Sequence, residues 1–412
     1  MFTRRACLAA APAAFLASSV RAADDAVVVQ DFDSPLPHKA AFSPLGSTYL
    51  NSASQHPLSL AAKDAVVRYL DYKSFSADSG YSVADVYVRV LEKFARLINA
   101  GPDEVCFVQS TTVGENLILK ALDIPAGGGR LVTDELHYVG SLPTYAQLAE
   151  QGMDVVTVRA NDDGRIPIER FEEAIDADTR LVAVSLVSMV NGFRHDLDEL
   201  CRVAHANGAL VYADIVQAVG SVPFDVQKSG VDFCAAASYK WLMGEQGLGF
   251  MYARKDRLGG LRRPWFGHYQ LDRRVALGFP DPDRNGLLTE YRHVDGARGY
   301  FAMGSQANIV AAILDVSLDY LSGVGVERIE AYRQPMIERL QRELPGLGYA
   351  SITPPGAATA IVSFRHDRDV RELRSTLGSA GITITVAPHH FRVSPSVFND
   401  MDDIERLVGA LG

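Results

Sequence analysis

Cysteine is scarce in this chain, with four residues among 412. Cys7 lies in the N-terminal apolar stretch, and Cys106, Cys201 and Cys234 lie singly in later apolar runs. This number and spacing give no paired disulfide framework and no metal-ligand pattern. We therefore expect buried free thiols and no bound metal.

Positive charge is also in deficit, because 40 Lys and Arg stand against 50 Asp and Glu, for a net charge of −10. An acidic chain is poorly suited to nucleic acid or to an anionic membrane surface. Internal repeats and low-complexity tracts are missing as well. A hydrophobic content of 48% over this length predicts a globular protein of about two or three domains.

The N-terminal stretch Met1–Ala22 combines Arg4 and Arg5 with the apolar run Ala6–Val20. That run is too short for a membrane span, and the stretch resembles a twin-arginine signal peptide, with Cys7 in place of the usual Phe. We expect residues 1–22 to be removed, no membrane anchoring after processing, and a periplasmic or secreted protein. The twin-arginine export machinery would then be a partner.

Lys240 lies where an apolar run gives way to a glycine-rich loop, within Val231–Tyr252. A lysine in such a pocket loses hydration, its pKa falls, and its neutral amine can form a Schiff base with a carbonyl. Upstream, the apolar run 209–213 ends at Asp214, where open α/β sheets build ligand crevices. An acid there can keep a pyridine nitrogen protonated, which predicts pyridoxal phosphate (PLP) as cofactor. Helix capping by Asp214 is the structural alternative.

These motifs resemble a known enzyme family. The chain carries Asp214-x-x-Gln217, then Ser238-Tyr239-Lys240-Trp241, then a loop with Gly247 and Gly249. The combination is similar to the fold type I PLP enzymes of the aminotransferase class V superfamily, which includes kynureninase, isopenicillin N epimerase-like proteins and cysteine desulfurases. The resemblance covers roughly residues 45–412 and assigns Gln217, Ser238, Tyr239 and Lys240 to the cofactor site.

The pattern of apolar segments predicts an α/β fold. Strand and helix signals alternate over residues 105–250, which indicates a mostly parallel sheet with helices on both faces. The resemblance implies a seven-stranded type of sheet and four segments: the signal 1–22, an N-terminal segment 23–47 on the small domain, a large PLP-binding domain 48–300, and a linking helix with a small α+β domain 301–412.

Hydroxyl residues at a predicted helix start could bind the cofactor phosphate. Thr111 and Thr112 follow a predicted strand and open a helix, where free backbone N–H groups attract anions. Ordinary helix capping is the structural alternative, but the strand-to-helix position and the family resemblance favour the phosphate role. By resemblance, Ser305 reaches the phosphate of a neighbouring subunit, which implies a homodimer with shared active sites.

Two further residues receive cofactor roles from the resemblance. His137, after the strand that ends at Asp134, is expected to stack on the pyridine ring and to take part in catalysis. Asn191 is expected to approach the ring hydroxyl. A structural histidine and a simple Asn191-Gly192 turn are the alternatives.

The resemblance also implies the substrate contacts. Arg392 would bind a carboxylate, for which a planar guanidinium is well suited, and Asn51 would line the substrate side. The expected function is a PLP-dependent reaction at the Cα amine of an amino acid or peptidyl substrate, by aminotransferase class V-like chemistry. The alternatives are a C–S or C–C lyase or an epimerase, including enzymes that tailor siderophores, and finally a non-catalytic binding protein.

One departure from the family bears on the reaction. Cysteine desulfurases of the family carry a nucleophilic Cys on a small-domain loop before the carboxylate-binding arginine. Residues 380–391 contain no Cys, and none follows Cys234. The sequence therefore argues against desulfurase activity.

Overall fold

The computed structural model describes residues 32–42, 45–75, 80–276 and 289–412. The predicted signal segment 1–22 lies outside these residues, and so does the first part of the 23–47 segment. The described residues after Asp31 form one compact unit.

Strands and helices alternate through most of the chain. In the described residues the strands are β1 (Thr48–Tyr49), β2 (Val105–Val108), β3 (Arg130–Asp134), β4 (Asp154–Val158), β5 (Thr179–Ser185), β6 (Leu210–Asp214), β7 (Phe233–Ala237), β8 (Gly249–Ala253), β9 (Leu271–Ala276), β10 (Thr289–His293), β11 (Val362–Arg365), β12 (Ile382–Thr383), β13 (Thr385–Val386) and β14 (His390–Val393). The α-helices are α1 (Lys39–Phe42), α2 (Leu60–Phe75), α3 (Val83–Leu97), α4 (Thr111–Ala121), α5 (Leu142–Glu150), α6 (Ile168–Ala174), α7 (Leu197–Ala206), α8 (Val226–Ser229), α9 (Ala297–Phe301), α10 (Asn308–Val324), α11 (Val326–Glu343), α12 (Val370–Ser379) and α13 (Met401–Leu411).

A seven-stranded sheet lies within the predicted large domain, residues 48–300, in the order β2-β8-β7-β6-β5-β3-β4. Neighbours from β7 to β4 run parallel, and β8 is antiparallel to both β7 and β2. The central strands are nearly continuous apolar runs, because a parallel sheet is covered by helices on both faces. The predicted mostly parallel sheet is confirmed.

Amphipathic helices cover the two faces of this sheet. Helix α3 buries Val86, Val90 and Phe94, at a spacing of four residues that places them on one face. The Phe94 ring stacks on Phe250 of β8 with ring centroids 3.9 Å apart. On the opposite face, α4 packs closely against β7, so the start of α4 is fixed relative to the end of β7.

Towards the C-terminus, a second sheet, β11-β14-β13, is antiparallel and packs around a separate hydrophobic core. The division into a large domain (residues 48–300) and a small domain (residues 301–412) stays a prediction, and the two names are used below for those ranges. Strand β1 pairs with β12, which joins the start of the large-domain segment to the small domain. Within the predicted 23–47 segment, the Phe42 ring contacts Phe398, and His38 N–H donates to the Val397 carbonyl.

None of the described helices is long and apolar enough on its own to cross a membrane. The bent pair of Asn308–Val324 and Val326–Leu347 meets that criterion only jointly, by length and composition.

The parallel strands bring their carboxyl ends to one edge of the sheet. Strand β5 ends at Ser185 and β6 at Asp214, and these two residues are register partners. Strand β7 leads to Lys240 three residues beyond its end, and β3 leads to His137. The fold therefore groups residues that are far apart in sequence.

Candidate active site

Lys240 lies in a tight loop between β7 and β8. The loop is closed by hydrogen bonds from Met243 N to the Lys240 carbonyl (2.8 Å) and from Gly244 N to the Ser238 carbonyl (2.8 Å). The Lys240 side chain is buried, with 6% of its surface exposed. Burial lowers the pKa of Lys240 to about 8, although the negative charge of Asp214 acts in the opposite direction. A substantial fraction of the amine is therefore neutral near physiological pH.

Asp214 is buried at the end of β6, and one of its oxygens accepts the Val216 N–H at 2.9 Å. Burial raises the pKa of Asp214 to about 6, while the positive charges of His137 and Lys240 oppose that rise. The carboxylate is thus ionised at neutral pH and faces cations. It is not a helix cap, since no helix begins at Asp214.

Arg392 of β14 is buried without an acidic partner among the described residues. Its Nη1 donates to the Met189 carbonyl (3.0 Å), and its Nη2 donates to the Ser54 hydroxyl (2.7 Å). Its Nε is buried and has no hydrogen-bond partner. Burial lowers the pKa of Arg392 to about 10. A buried guanidinium with an unused donor is suited to a carboxylate from a ligand.

Asn51 lies beside Arg392, as the predicted substrate site requires. Its Oδ1 accepts the hydroxyls of Ser54 (2.9 Å) and Thr385 (2.7 Å), and both hydroxyls also lie within reach of Arg392 Nη2. Asn51 therefore orients the two hydroxyls that hold the guanidinium. The pattern of the sequence did not point to Thr385.

The start of α4 is tied to the Lys240 strand. The Thr111 hydroxyl accepts the N–H of Ala237, the last residue of β7, at 2.9 Å. Ser110 is the N-cap, and its hydroxyl accepts the Val113 N–H at 3.2 Å. Thr112 is exposed. The first backbone N–H groups of an 11-residue helix thus lie near the Lys240 loop, where they can bind a phosphate.

His137 is fully buried and both of its ring nitrogens have partners. Nδ1 lies 2.9 Å from the Ser185 hydroxyl, and Nε2 lies 3.2 Å from a Glu115 carboxylate oxygen. The ring also stacks on Tyr145, with centroids 5.8 Å apart. The structure therefore places His137 next to the Asp214 strand, while its stacking on a cofactor ring stays a prediction.

Three predicted cofactor residues have side chains that are engaged with protein groups. The Ser238 hydroxyl lies 2.7 Å from the carbonyls of both Glu245 and Leu248. Asn191 donates to the Gly164 carbonyl (2.8 Å) and accepts the Phe193 N–H. Gln217 donates to the Ala53 carbonyl (3.0 Å) and accepts the Trp241 indole N–H (2.8 Å). In this structure these side chains position loops, and their contacts with a cofactor stay predictions.

Tyr239 and Ser305 lie at the border of the site. Tyr239 is half-buried, and its carbonyl accepts the His56 N–H at 3.0 Å. Ser305 is exposed in the single chain. The cofactor contacts predicted for both residues stay predictions.

Two buried residues, Arg333 and His56, contact the Lys240 loop. No motif in the sequence predicts the contact of Arg333. The Arg333 guanidinium lies 5.6 Å from the Trp241 ring and donates to the Ser221 carbonyl. His56 contacts the Ser396 hydroxyl (2.8 Å), and burial lowers the pKa of His56 to about 4. Arg333 and His56 lie far from Lys240 in the sequence, and their contacts hold the Lys240 loop in place.

The residues present fit PLP. Lys240 is a buried amine with no hydrogen bond or ion pair to another described side chain, which suits an aldehyde carbon. Asp214 suits a protonated ring nitrogen, and the start of α4 suits a phosphate. The unpartnered Nε of Arg392 suits the carboxylate of an amino acid.

Comparison with known proteins identifies the family. The sequence profile described as Aminotransferase class-V matches residues 69–407. The chain belongs to the aminotransferase class-V family. A class-V relative from Methanothermobacter thermautotrophicus, named probable cysteine desulfurase, is 29% identical over 83% of this chain and 84% of its own length.

Solved structures establish the class-V fold of the chain. The cysteine desulfurase CsdA from Escherichia coli aligns with a TM-score of 0.78 at 21% identity, over 90% of this chain and 96% of that chain. The cystine C–S lyase C-DES, in complex with its product cysteine persulfide, aligns with a TM-score of 0.75 at 20% identity, over 89% and 97%. A C-DES variant with glycine covalently linked to PLP aligns with a TM-score of 0.77 at 19% identity, over 92% and 99%.

These comparisons confirm the predicted superfamily and the fold class. This class-V chain is a PLP-dependent enzyme, and PLP is confirmed as its cofactor. Its three described cysteines, Cys106, Cys201 and Cys234, are buried free thiols. In the part of the chain that the structure describes, no group of His, Cys, Asp and Glu could hold a metal ion.

Proposed function

We propose that this enzyme is a C–S lyase, which removes a sulfur substituent from Cβ of an α-amino acid. The observation that carries the proposal is the grouping of Lys240, Asp214 and Arg392, with no described thiol beside them. Cys106, Cys201 and Cys234 are buried in the large domain. Burial also raises the pKa of each thiol, so none is suited to accept sulfur from a substrate.

The relatives support cleavage of a C–S bond more than transamination. Proteins named cysteine desulfurase and the cystine C–S lyase C-DES both act on sulfur-containing amino acids by their names. A desulfurase needs a reactive thiol to take the sulfur, whereas a lyase releases it directly. The chain retains the amine, acid and guanidinium but presents no such thiol in its described residues, which favours the lyase.

Each residue has a distinct task in this reaction. When bound, PLP supplies an electron sink that stabilises negative charge at Cα of the substrate. Arg392 binds the substrate carboxylate and fixes the direction of the Cα–H bond. Asp214 is ionised above about pH 6 and stabilises positive charge on the ring nitrogen. The Lys240 amine, with a pKa of about 8, can take the proton from Cα and return it to the departing sulfur.

The bond changes balance without an added oxidant or reductant. The Cα–H and Cβ–S bonds break, a Cα–Cβ double bond forms, and the sulfur leaves with its electron pair and gains the proton. The resulting enamine reacts with water to give a 2-oxo acid and ammonia. For a cysteine S-conjugate the products are therefore a thiol, pyruvate and ammonia in equal amounts.

Product analysis of the purified holoenzyme tests the proposal. With S-methylcysteine or cystine as substrate, we expect equal amounts of pyruvate and sulfur product, and neither from the Lys240→Ala variant. A variant with Ser at Cys106, Cys201 and Cys234 should keep the activity. With cysteine as substrate, alanine and a persulfide on the enzyme, both lost in that triple variant, would indicate a desulfurase and contradict the proposal. A 2-oxo acid that keeps its sulfur substituent, formed only when a second 2-oxo acid is added, would indicate transamination.

We further propose export by the twin-arginine route, on the basis of Arg4, Arg5 and the apolar run that follows. Export of a folded protein suits an enzyme whose cofactor is loaded before transport. Replacing both arginines with lysine should retain the precursor in the cytoplasm. Equal periplasmic amounts of the two forms would exclude this route.

A further inference from the structure

Glu115 lies at the centre of a buried polar cluster that includes His137, one of the predicted cofactor-binding residues. Its carboxylate accepts the Ser141 hydroxyl at 2.5 Å and the Tyr145 hydroxyl, and it contacts His137 Nε2 at 3.2 Å. Glu115 and His137 expose 3% and none of their surface. A carboxylate in this environment is stable only because several donors surround it. The cluster joins α4, α5 and the segment after β3.

The contacts determine which ring nitrogen of His137 carries a fixed proton. An ionised carboxylate only accepts hydrogen bonds, so the contact with Glu115 requires a hydrogen on Nε2. The Tyr145 hydroxyl also lies 3.3 Å from Nε2, but its single hydrogen is donated to Glu115, so its oxygen can only accept from Nε2. On the other side, Nδ1 lies 2.9 Å from the Ser185 hydroxyl, which also accepts the Tyr138 N–H. A hydroxyl can donate or accept, so Nδ1 can lose or gain a proton without movement of heavy atoms.

The cluster continues to Asp214 through the sheet. Ser185 and Asp214 are register partners on adjacent parallel strands, so their side chains lie on the same face. The charged groups that act on His137 come from three elements: Glu115 of α4, Asp134 of β3 and Asp214 of β6. Burial lowers the pKa of His137, but the hydrogen bond and charge of Glu115, together with the charges of Asp134 and Asp214, outweigh it, and the net shift is upward.

We propose that Glu115 is a positioning residue: its carboxylate fixes the proton on Nε2 of His137, and its negative charge favours a second proton on Nδ1, so that a positive charge is held beside Asp214. Proton exchange on the ring is then confined to Nδ1, on the side of Ser185. The role of Glu115 depends on PLP at Lys240 but not on which bond at Cα breaks. It would therefore survive if the enzyme proved to be a transaminase or an epimerase.

Histidine-selective ¹⁵N NMR of the holoenzyme tests the charge on His137 directly. The signal is assigned by its loss in His137→Asn. We expect both ring nitrogens to be protonated at pH 7.5 in the wild type, and one to be unprotonated in Glu115→Gln. A neutral His137 in the wild type would overturn the proposal, and this measurement does not require any variant of Glu115 to fold.

The absorbance of bound PLP gives a second readout. Loss of the charge on His137 raises the pKa of Asp214, and loss of the Glu115 charge, which is the smaller effect, lowers it. The acid-side spectral transition of Glu115→Gln should therefore move to higher pH. Tyr145→Phe removes one donor but leaves the carboxylate, so it should keep a doubly protonated His137. His205→Gln controls for the loss of a buried acid–histidine contact, because His205 meets Asp232 at the opposite end of β7. An unchanged profile in Glu115→Gln would overturn the proposal.

Discussion

At the scale of single residues, burial decides how Lys240 behaves. The side chain has little contact with water, and the attraction of Asp214 offsets only part of the lost hydration. The pKa of about 8 is therefore below the ordinary lysine value of 10.5. The amine is neutral, and hence nucleophilic, at a pH where surface lysines are almost fully charged.

The first prediction concerns the pH dependence of Lys240 labelling. In the cofactor-free protein, reductive methylation of Lys240 by formaldehyde should rise with pH and level off above about pH 8, because only the neutral amine reacts. Lys255 is the internal control: its hydrogen bond and ion pair with Asp103 raise its pKa, so its labelling should still increase at pH 10. Peptide mass spectrometry measures both in one sample. If the labelling of Lys240 and of Lys255 rose with pH in the same way, the lowered pKa of Lys240 would be contradicted.

The second prediction concerns Arg392. The Arg392→Ala variant should lose roughly 10- to 100-fold in kcat/KM for amino-acid substrates, because a charge-assisted hydrogen bond contributes about 1.5–3 kcal/mol. Most of the loss should come from a higher KM. Arg365→Ala is the matched control, since Arg365 is exposed on the neighbouring strand β11. If Arg392→Ala lowers kcat/KM equally for amino-acid substrates and for analogues that lack the carboxylate, Arg392 does not bind the carboxylate.

Some of these residues could be predicted from sequence, and others could not. Lys240 and Asp214 each follow an apolar strand, which is a local signal with a direct structural consequence. Glu115 lies within a helix, where an acid is usually solvated, so its role depends on partners from two other elements. The sequence did carry one signal for Glu115. It follows Thr111, a predicted phosphate-binding residue, by four residues, so the two side chains share one face of the helix.

At the scale of elements, helix α4 connects the packing of the sheet to the site. Gly114 lets α4 approach β7 closely, since a Cβ there would lie 2.7 Å from the Cβ of Ala235. The start of the same helix is bonded to the end of β7 through Thr111 and Ala237. A shift of α4 would therefore move a candidate phosphate site relative to Lys240.

The third prediction follows from this contact. Alanine favours helices by about 1 kcal/mol over glycine, yet Gly114→Ala should destabilise the protein, because overpacking costs about 1–3 kcal/mol. It should also weaken PLP binding. Gly378→Ala in α12 is the control: no atom lies within 4 Å of its added Cβ, so it should stabilise the protein slightly. Melting temperatures and PLP titrations measure both variants. Equal changes in melting temperature and in PLP affinity in the two variants would contradict the role of Gly114.

The elements of the large domain were largely predictable, whereas the arrangement of the small domain was not. The predicted alternation of strands and helices over residues 105–250 corresponds to β2 through β8, and β3 ends at Asp134 as predicted. Local periodicity determines such segments. It does not determine that β1 pairs with β12, which is more than 300 residues away, because that register depends on tertiary packing.

At the scale of the whole molecule, a single chain leaves apolar surface uncovered. Leu60, Val67 and Leu70 of α2 and Val88 of α3 are each more than one-third exposed, and Phe266 is 80% exposed. Leu60, Val67 and Leu70 recur at helical spacing on one face of α2, and an exposed apolar stripe of this kind is typical of protein interfaces. They support the proposed homodimer, in which Ser305 would reach the phosphate site of the other subunit.

The fourth prediction concerns this dimer. Light scattering of the holoenzyme should give twice the mass of the chain, and dilution to the monomer should lower the affinity for PLP. Val67→Glu should promote dissociation and weaken PLP binding without touching the Lys240 site. A monomer that binds PLP as tightly as the wild type would contradict shared active sites.

The central claim is that Lys240 forms the covalent bond to PLP. Borohydride reduction of the holoenzyme, followed by peptide mapping, tests it most directly. We predict that the visible absorbance is lost and that the mass of reduced PLP is found on the peptide containing Lys240, with no labelled peptide in Lys240→Ala. Reduced PLP on another lysine, or a colourless protein that takes up no PLP, would contradict the account.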